Sequence, residues 1–108
     1  LEQVVTTDEK ARRDKEINNA YYRACRMLGE VYVRHLAKPE RAIECLTIYK
    51  DHLDSGAETL YLLGEAYEAA GKVPQARKWY DMVLVYPSHP RAADARSALG
   101  RLGSSAKS

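Results

Sequence analysis

One pentapeptide pattern occurs twice in this chain: Leu28-Gly29-Glu30-Val31-Tyr32 returns as Leu63-Gly64-Glu65-Ala66-Tyr67, 35 residues later. Ala42, Leu46 and Tyr49 then return as Ala76, Tyr80 and Val83, 34 residues later. Repetition at this period restricts a chain to stacked supersecondary units, none of which can bury its apolar face alone. The one-residue difference between the two offsets falls around Ala37 and Lys38. It is expected to be taken up in a turn, which leaves every helix in phase.

The units read as helical. Phenylalanine is absent, tyrosine supplies nearly all the aromatic bulk, and Ala, Leu, Arg, Glu and Lys dominate, so strands have little to draw on. Turn signals fall at Pro39, at Asp54-Ser55-Gly56, at Gly71 before Pro74, and at Pro87-Ser88-His89-Pro90. They leave five helix-length segments. The first is predicted from Thr6, capped by its hydroxyl with Glu9 reaching back, to about Leu36, with a break near Asn18-Asn19. Pro39 and Pro74 suit first-turn positions, where a missing backbone N–H costs nothing. Ser55 with Glu58 forms a second expected capping box, and Ser88 is the expected cap of the last helix. The expected organisation is a helical extension over 1–21, one unit over 22–56, a second over 57–90, a capping helix over 91–103 and a disordered tail over 104–108.

Glycine inside a helix costs ~1 kcal/mol against alanine unless a neighbouring backbone or side chain must come close, and the repeat spends it twice, at Gly29 and Gly64. Ala42 and Ala76 are expected where only a methyl fits, while Tyr32 and Tyr67 fill the wider space between helices. Leu-Gly, Tyr three residues after the Gly, Ala nine or ten later and a large residue after four more together resemble the tetratricopeptide repeat. The resemblance spans Tyr22 to Ser88 and rests on Leu28, Gly29, Tyr32, Ala42, Leu63, Gly64, Tyr67, Ala76 and Tyr80. Cys25 and Tyr49 depart from the family's usual residue types in the first unit. The resemblance implies an all-α superhelix of antiparallel helix hairpins with N- and C-terminal capping helices. It also implies a scaffold or adaptor that receives a peptide or a partner helix in a concave groove lined by the first helix of each unit.

On that implied face stand Arg23, Arg26, Glu30, Val33 and Arg34 in the first unit, and Glu58, Tyr61, Leu62, Glu65 and Glu68 in the second. A groove basic on one side and acidic on the other favours a ligand with both charge signs and an apolar anchor against Tyr61 and Leu62. The alternative is that these are solvated helix faces, with Arg26 and Glu30 paired at i, i+4. Some members of the family clamp a C-terminal carboxylate with Lys and Asn. Glutamates stand where this chain would need the asparagine, and they repel such a ligand. Two units are fewer than a stack normally needs, so Lys10–Ala20 and Arg91–Leu102 are expected as caps, the latter through Ala92, Ala95, Leu99 and Leu102. An incomplete cap leaves apolar surface for a second copy, so a self-associating module or homodimer is the second reading.

Other classes find less support. A chain of 108 residues builds one modest core. Its +2 net charge is interspersed, so no polyanion field follows from totals. Arg91, Arg96 and Arg101 step around a helix without interleaved aromatics, which disfavours nucleic acid, and an RNA-binding helical fragment ranks last. His35, His52 and His89 are scattered, and no His-Glu-x-x-His pattern, phosphate loop or nucleophile elbow occurs, so neither an enzyme, a metal site nor a cofactor is expected. Cys25 and Cys45 read as buried thiols. No apolar run approaches the ~20 residues of a membrane span. Leu1 in place of methionine reads as the start of a piece of a longer protein. The compartment leans cytoplasmic, with an upstream signal or anchor left open.

Overall fold

A computed structural model describes residues 7–53 and 56–107, and all their regular structure is α-helical. The helices are α1 (Thr7–Arg34), α2 (Pro39–His52), α3 (Ala57–Ala69), α4 (Val73–Val83) and α5 (Pro90–Lys107). α1 packs on α2 and α3 on α4. α2 also lies against α3 and α4 against α5, while α1 touches α3 and α3 touches α5.

The repeated glycines set the approach within each pair. A Cβ on Gly29 would stand 2.6 Å from Leu46 Cγ, and one on Gly64 would stand 2.6 Å from Tyr80 Cε1. Both lie under any ordinary van der Waals contact, so the glycines let a large side chain of the second helix lie directly on the backbone of the first. Leu46 and Tyr80 occupy equivalent repeat positions, as do the fully buried Ala42 and Ala76.

The unequal offsets have a visible origin. The Tyr67 carbonyl accepts from Lys72 N–H, five residues on, whereas its equivalent at Tyr32 accepts from Lys38 N–H, six residues on. The extra residue is absorbed at the end of α1, where the Val31 carbonyl accepts from both His35 and Leu36 N–H. Beyond it each turn passes through one left-handed residue, Gly71 at φ 79° and Ala37 at φ 52°. Lys38 and Lys72 carbonyls then start α2 and α4 identically, accepting from Ala42 and Ala76 N–H.

Two apolar clusters hold the stack. Ala42 and Leu46 of α2 meet Leu62, Leu63 and Ala66 of α3, with Tyr32, Val33, Ile43, Tyr67 and Trp79 packed around them. Ala57 and Leu60 of α3 meet Ala76, Tyr80 and Val83 of α4 and Ala95, Ala98 and Leu102 of α5. The last helix thus packs over the α3–α4 cluster, with Ala92 also buried and Leu99 half-buried.

The N-terminal segment differs from expectation. α1 runs through Asn18-Asn19 without a break, and residues 8–18 are exposed throughout, so this stretch projects as an extension and caps nothing. The molecule measures 73 × 30 × 18 Å with a radius of gyration of 17.5 Å, against about 13 Å for a compact chain of ~100 residues. α5 continues to Lys107, past the point where a tail is expected. Ser88 does not cap it. His89 does, its Nδ1 accepting from Arg91 N–H at 3.0 Å. Thr6, Asp54, Ser55 and Ser108 lie outside the described residues, so the caps expected of Thr6 and Ser55 do too. Among the described residues no helix is long and apolar enough to cross a membrane.

Candidate functional site

α1, α3 and α5 contact one another in sequence along one side of the stack. Between them lies a concavity of about 440 Å³ lined by Val33, Arg34, Tyr61, Glu65, Glu68, Ala69, Tyr80 and Arg101. Five of these, Val33, Arg34, Tyr61, Glu65 and Glu68, stand on the face the repeat pattern singles out. Ala69 follows Glu65 at i+4 and could have been found by extending the same stripe. Arg101 arrives from α5, and Tyr80 reaches through from α4, where its repeat position marks it only as a packing residue.

Charges on this face are paired within the protein. Arg34 donates to Glu30 at 2.8 Å and to Glu65 at 2.9 Å, bridging α1 to α3. Burial works to lower the Arg34 pKa, but the hydrogen bond and charge of Glu65 outweigh it and hold the guanidinium above its ordinary value. Arg26 donates to Glu30 from the other side at 2.9 Å. Glu68 accepts from Arg101 and, at 2.8 Å, from the Tyr80 hydroxyl. The Arg101 hydrogen bond leads in holding the Glu68 carboxyl below its ordinary value, with Tyr80 assisting. The Tyr80 phenol is pushed far up, by burial first and then by Glu68.

Tyr61 is the aromatic of the floor. Its ring lies 5.4 Å from that of Tyr80, and the Arg91 guanidinium sits 4.8 Å above it. Arg91 also donates to Glu58 at 3.0 Å and to Asp94 at 2.9 Å, which raises its pKa, the Glu58 bond foremost. Burial raises the Tyr61 pKa, with the Glu65 charge adding to it.

Other expected site residues fall elsewhere. Leu62 is fully buried between α2 and α3 and cannot anchor a ligand, because α2 covers its side of α3. Leu28, a structural position of the repeat, is 46% exposed. Its equivalent Leu63 is buried because α2 lies over it, whereas among the described residues no helix takes the corresponding place beside Leu28 on α1. Arg23, exposed, and Arg26, Glu30 and Glu58 stand outside the concavity's lining. Of the arginines weighed for nucleic acid, Arg91 and Arg101 are engaged with carboxylates.

The three histidines stand apart. His52 stacks on Tyr22 at 4.5 Å and its Nδ1 lies 2.9 Å from the Ile48 carbonyl, while His35 borders a depression on α1 with Met27 and Val31. No three His, Cys, Asp or Glu side chains come together for a metal among the described residues. Cys25 is buried and Cys45 half-buried, both as free thiols, and burial raises the Cys45 pKa. Compared with protein-family models, curated proteins and solved structures, the chain matches none.

Proposed function

We propose that the protein is a tetratricopeptide-type adaptor that receives a peptide or partner helix in the concavity between α1, α3 and α5. The observation that carries this reading is the convergence of Val33, Arg34, Tyr61, Glu65 and Glu68 from α1 and α3 on one hollow, which Arg101 joins from α5. The paired helices, the glycines under Leu46 and Tyr80, and the contacts α1 to α3 to α5 support a stack of hairpins whose first helices share one side.

Internal pairing changes the ligand the face selects. Arg34 already has Glu30 and Glu65, and Glu68 already has Arg101 and Tyr80. A ligand's charges must compete with bonds in place, so net gain comes from apolar contact with Val33, Ala69 and the Tyr61 ring, with polar groups fixing register. This favours an extended segment with one apolar side chain and backbone groups within reach of the arginines and glutamates.

The test fills the hollow without touching the core. Ala69 is exposed and lines the concavity, so Ala69→Trp occupies it while leaving both apolar clusters intact. Photo-crosslinking capture from native lysate is compared between wild type and Ala69→Trp, with equal melting curves as the control for folding. Partners held by wild type and lost with the variant support the groove. An identical captured set from both chains removes it.

A further inference from the structure

The two units differ chemically at one pair of equivalent positions. The offset of 35 residues in the first helices maps Cys25 onto Leu60, and the offset of 34 in the second helices maps Cys45 onto Trp79. In the second unit these positions meet: Trp79 packs against the apolar cluster that holds Leu60, and the two border one hollow. The first unit has the same close approach, because Leu46, next to Cys45 in sequence, lies on Gly29, one turn after Cys25. On the other side of the cysteines Tyr22 stacks on His52, so the contact of α1 with α2 spans both. Two thiols thus stand where the second unit places leucine and tryptophan. Each is felt nearby. Burial, and next the charge of Cys25, raise the Cys45 pKa, while a hydrogen bond with Cys25 leads in raising that of Tyr21, to which Cys45 adds.

We infer that Cys25 and Cys45 are an oxidisable dithiol, and that a disulfide between them staples α1 to α2. α1 is lightly held without it. Cys25 and Gly29 are its buried residues among the described ones, against seven in the shorter α3. The co-reactant is a small-molecule disulfide such as oxidised glutathione. Cys45 is half-buried and reacts first; Cys25, 4% exposed, resolves. The Cys45 thiolate attacks one sulfur of the small disulfide and expels a thiolate, leaving a mixed disulfide. The Cys25 thiolate then attacks the Cys45 sulfur, forms the Cys25–Cys45 bond and expels the second thiolate. The protein gives up two electrons and two protons, and both end on the two small thiols released. With its pKa raised, Cys45 is mainly a thiol at neutral pH, so the exchange is slow, and the disulfide is a lasting staple rather than a rapid signal. It fixes the helix that carries Val33 and Arg34 to the concavity, but does not depend on what that concavity binds.

The test uses the full chain, reduced, freed of reductant and incubated dilute and folded with excess oxidised glutathione. Mass spectrometry is expected to find a monomer lighter by two hydrogen atoms. Cleavage by trypsin after Arg23, Arg26, Arg41 and Lys50 should leave residues 24–26 joined to 42–50 until a reductant is added. Circular dichroism melting should show Tm raised by roughly 10 °C on oxidation, because the cross-link restricts the unfolded chain. The rise should disappear on reduction and be absent from Cys45→Ser, whose replacement sits at a half-buried position and leaves the core in place. A glutathione adduct that persists on Cys45 overturns the inference, since Cys25 is then out of reach. So do disulfide-linked dimers, two thiols that stay unreacted, or an internal disulfide that fails to raise Tm.

Discussion

Replacing Gly64 by alanine sets two effects of known size against each other. Alanine gains ~1 kcal/mol over glycine within a helix, from propensity alone. The new methyl would stand 2.6 Å from Tyr80 Cε1, 2.7 Å from Cδ1 and 3.0 Å from Cζ. These are ring atoms of a side chain that is 1% exposed, so the ring must move as a body or α4 must back away. Overpacking of a filled core costs ~1–3 kcal/mol. Moving the ring also disturbs the Tyr80 hydroxyl bond to Glu68, and a hydrogen bond to a charged group contributes ~1.5–3 kcal/mol. The clash therefore wins, by on the order of 1–3 kcal/mol, which lowers Tm by roughly 10 °C in a domain of this size. Gly100→Ala is the internal control, since a Cβ there meets nothing within 4 Å and only the propensity gain remains. Thermal melts of both variants by circular dichroism decide the matter. If Gly64→Ala raises Tm as Gly100→Ala does, the glycine is not there for close approach, and the packing account of the repeat fails with it.

Three further outcomes follow from local geometry. Ala37→Gly relieves a left-handed alanine, worth ~1–2 kcal/mol, at an unfolded-state entropy cost of ~0.4–1 kcal/mol, so a urea midpoint shifted upward by a net ~0.5–1 kcal/mol is expected. His89→Ala removes the side-chain cap of α5 and should cost ~0.5–2 kcal/mol in the same assay, and an unchanged midpoint would show that the His89–Arg91 bond contributes nothing. Glu68 has a depressed folded pKa, so its stabilisation is present above the ordinary value of 4.5 and is lost as pH falls through the lower folded value. The stability gap between wild type and Glu68→Gln, measured by urea unfolding, should narrow as the pH is taken below 4.5, and a gap constant with pH would contradict the pairing with Arg101 and Tyr80.

The all-helical content and the glycine contacts were legible because they depend on residue type and period alone. The duplicated Leu-Gly-Glu-x-Tyr pattern identifies which positions share a geometry, and Gly29 against Leu46 with Gly64 against Tyr80 is that shared geometry. What the pattern cannot carry is context. Leu28 and Leu63 are the same residue at the same repeat position, one half-exposed and one buried, because among the described residues only the second has a helix on its far side. Leu62 misleads for the same reason, since a period of 3.6 places it near Tyr61 but does not say that α2 covers it. The N-terminal stretch reads as a cap because two units are too few for a stack, yet a cap needs apolar residues to lay down, and residues 8–16 carry mainly charge.

The charges of the concavity illustrate a further step that residue lists conceal. Arg26, Glu30, Arg34 and Glu65 alternate in sign on the face, and a sequence reading takes them for a basic flank opposite an acidic one. In the fold they form one chain of pairs, Arg26 to Glu30 to Arg34 to Glu65, running from α1 to α3. Ion pairs this exposed contribute little each, and Arg34–Glu65 is the one of the three that joins the two helices lining the hollow. A partner that bound by charge would have to break those pairs, and the surface left for binding within the concavity is apolar: Val33, Tyr61 and Ala69. Affinity for a groove ligand should therefore vary only weakly with ionic strength. A steep loss of binding as salt is raised, the behaviour of exposed charge pairs that ions screen, would mean that the pairs open on binding and that the charged reading of the face is the right one.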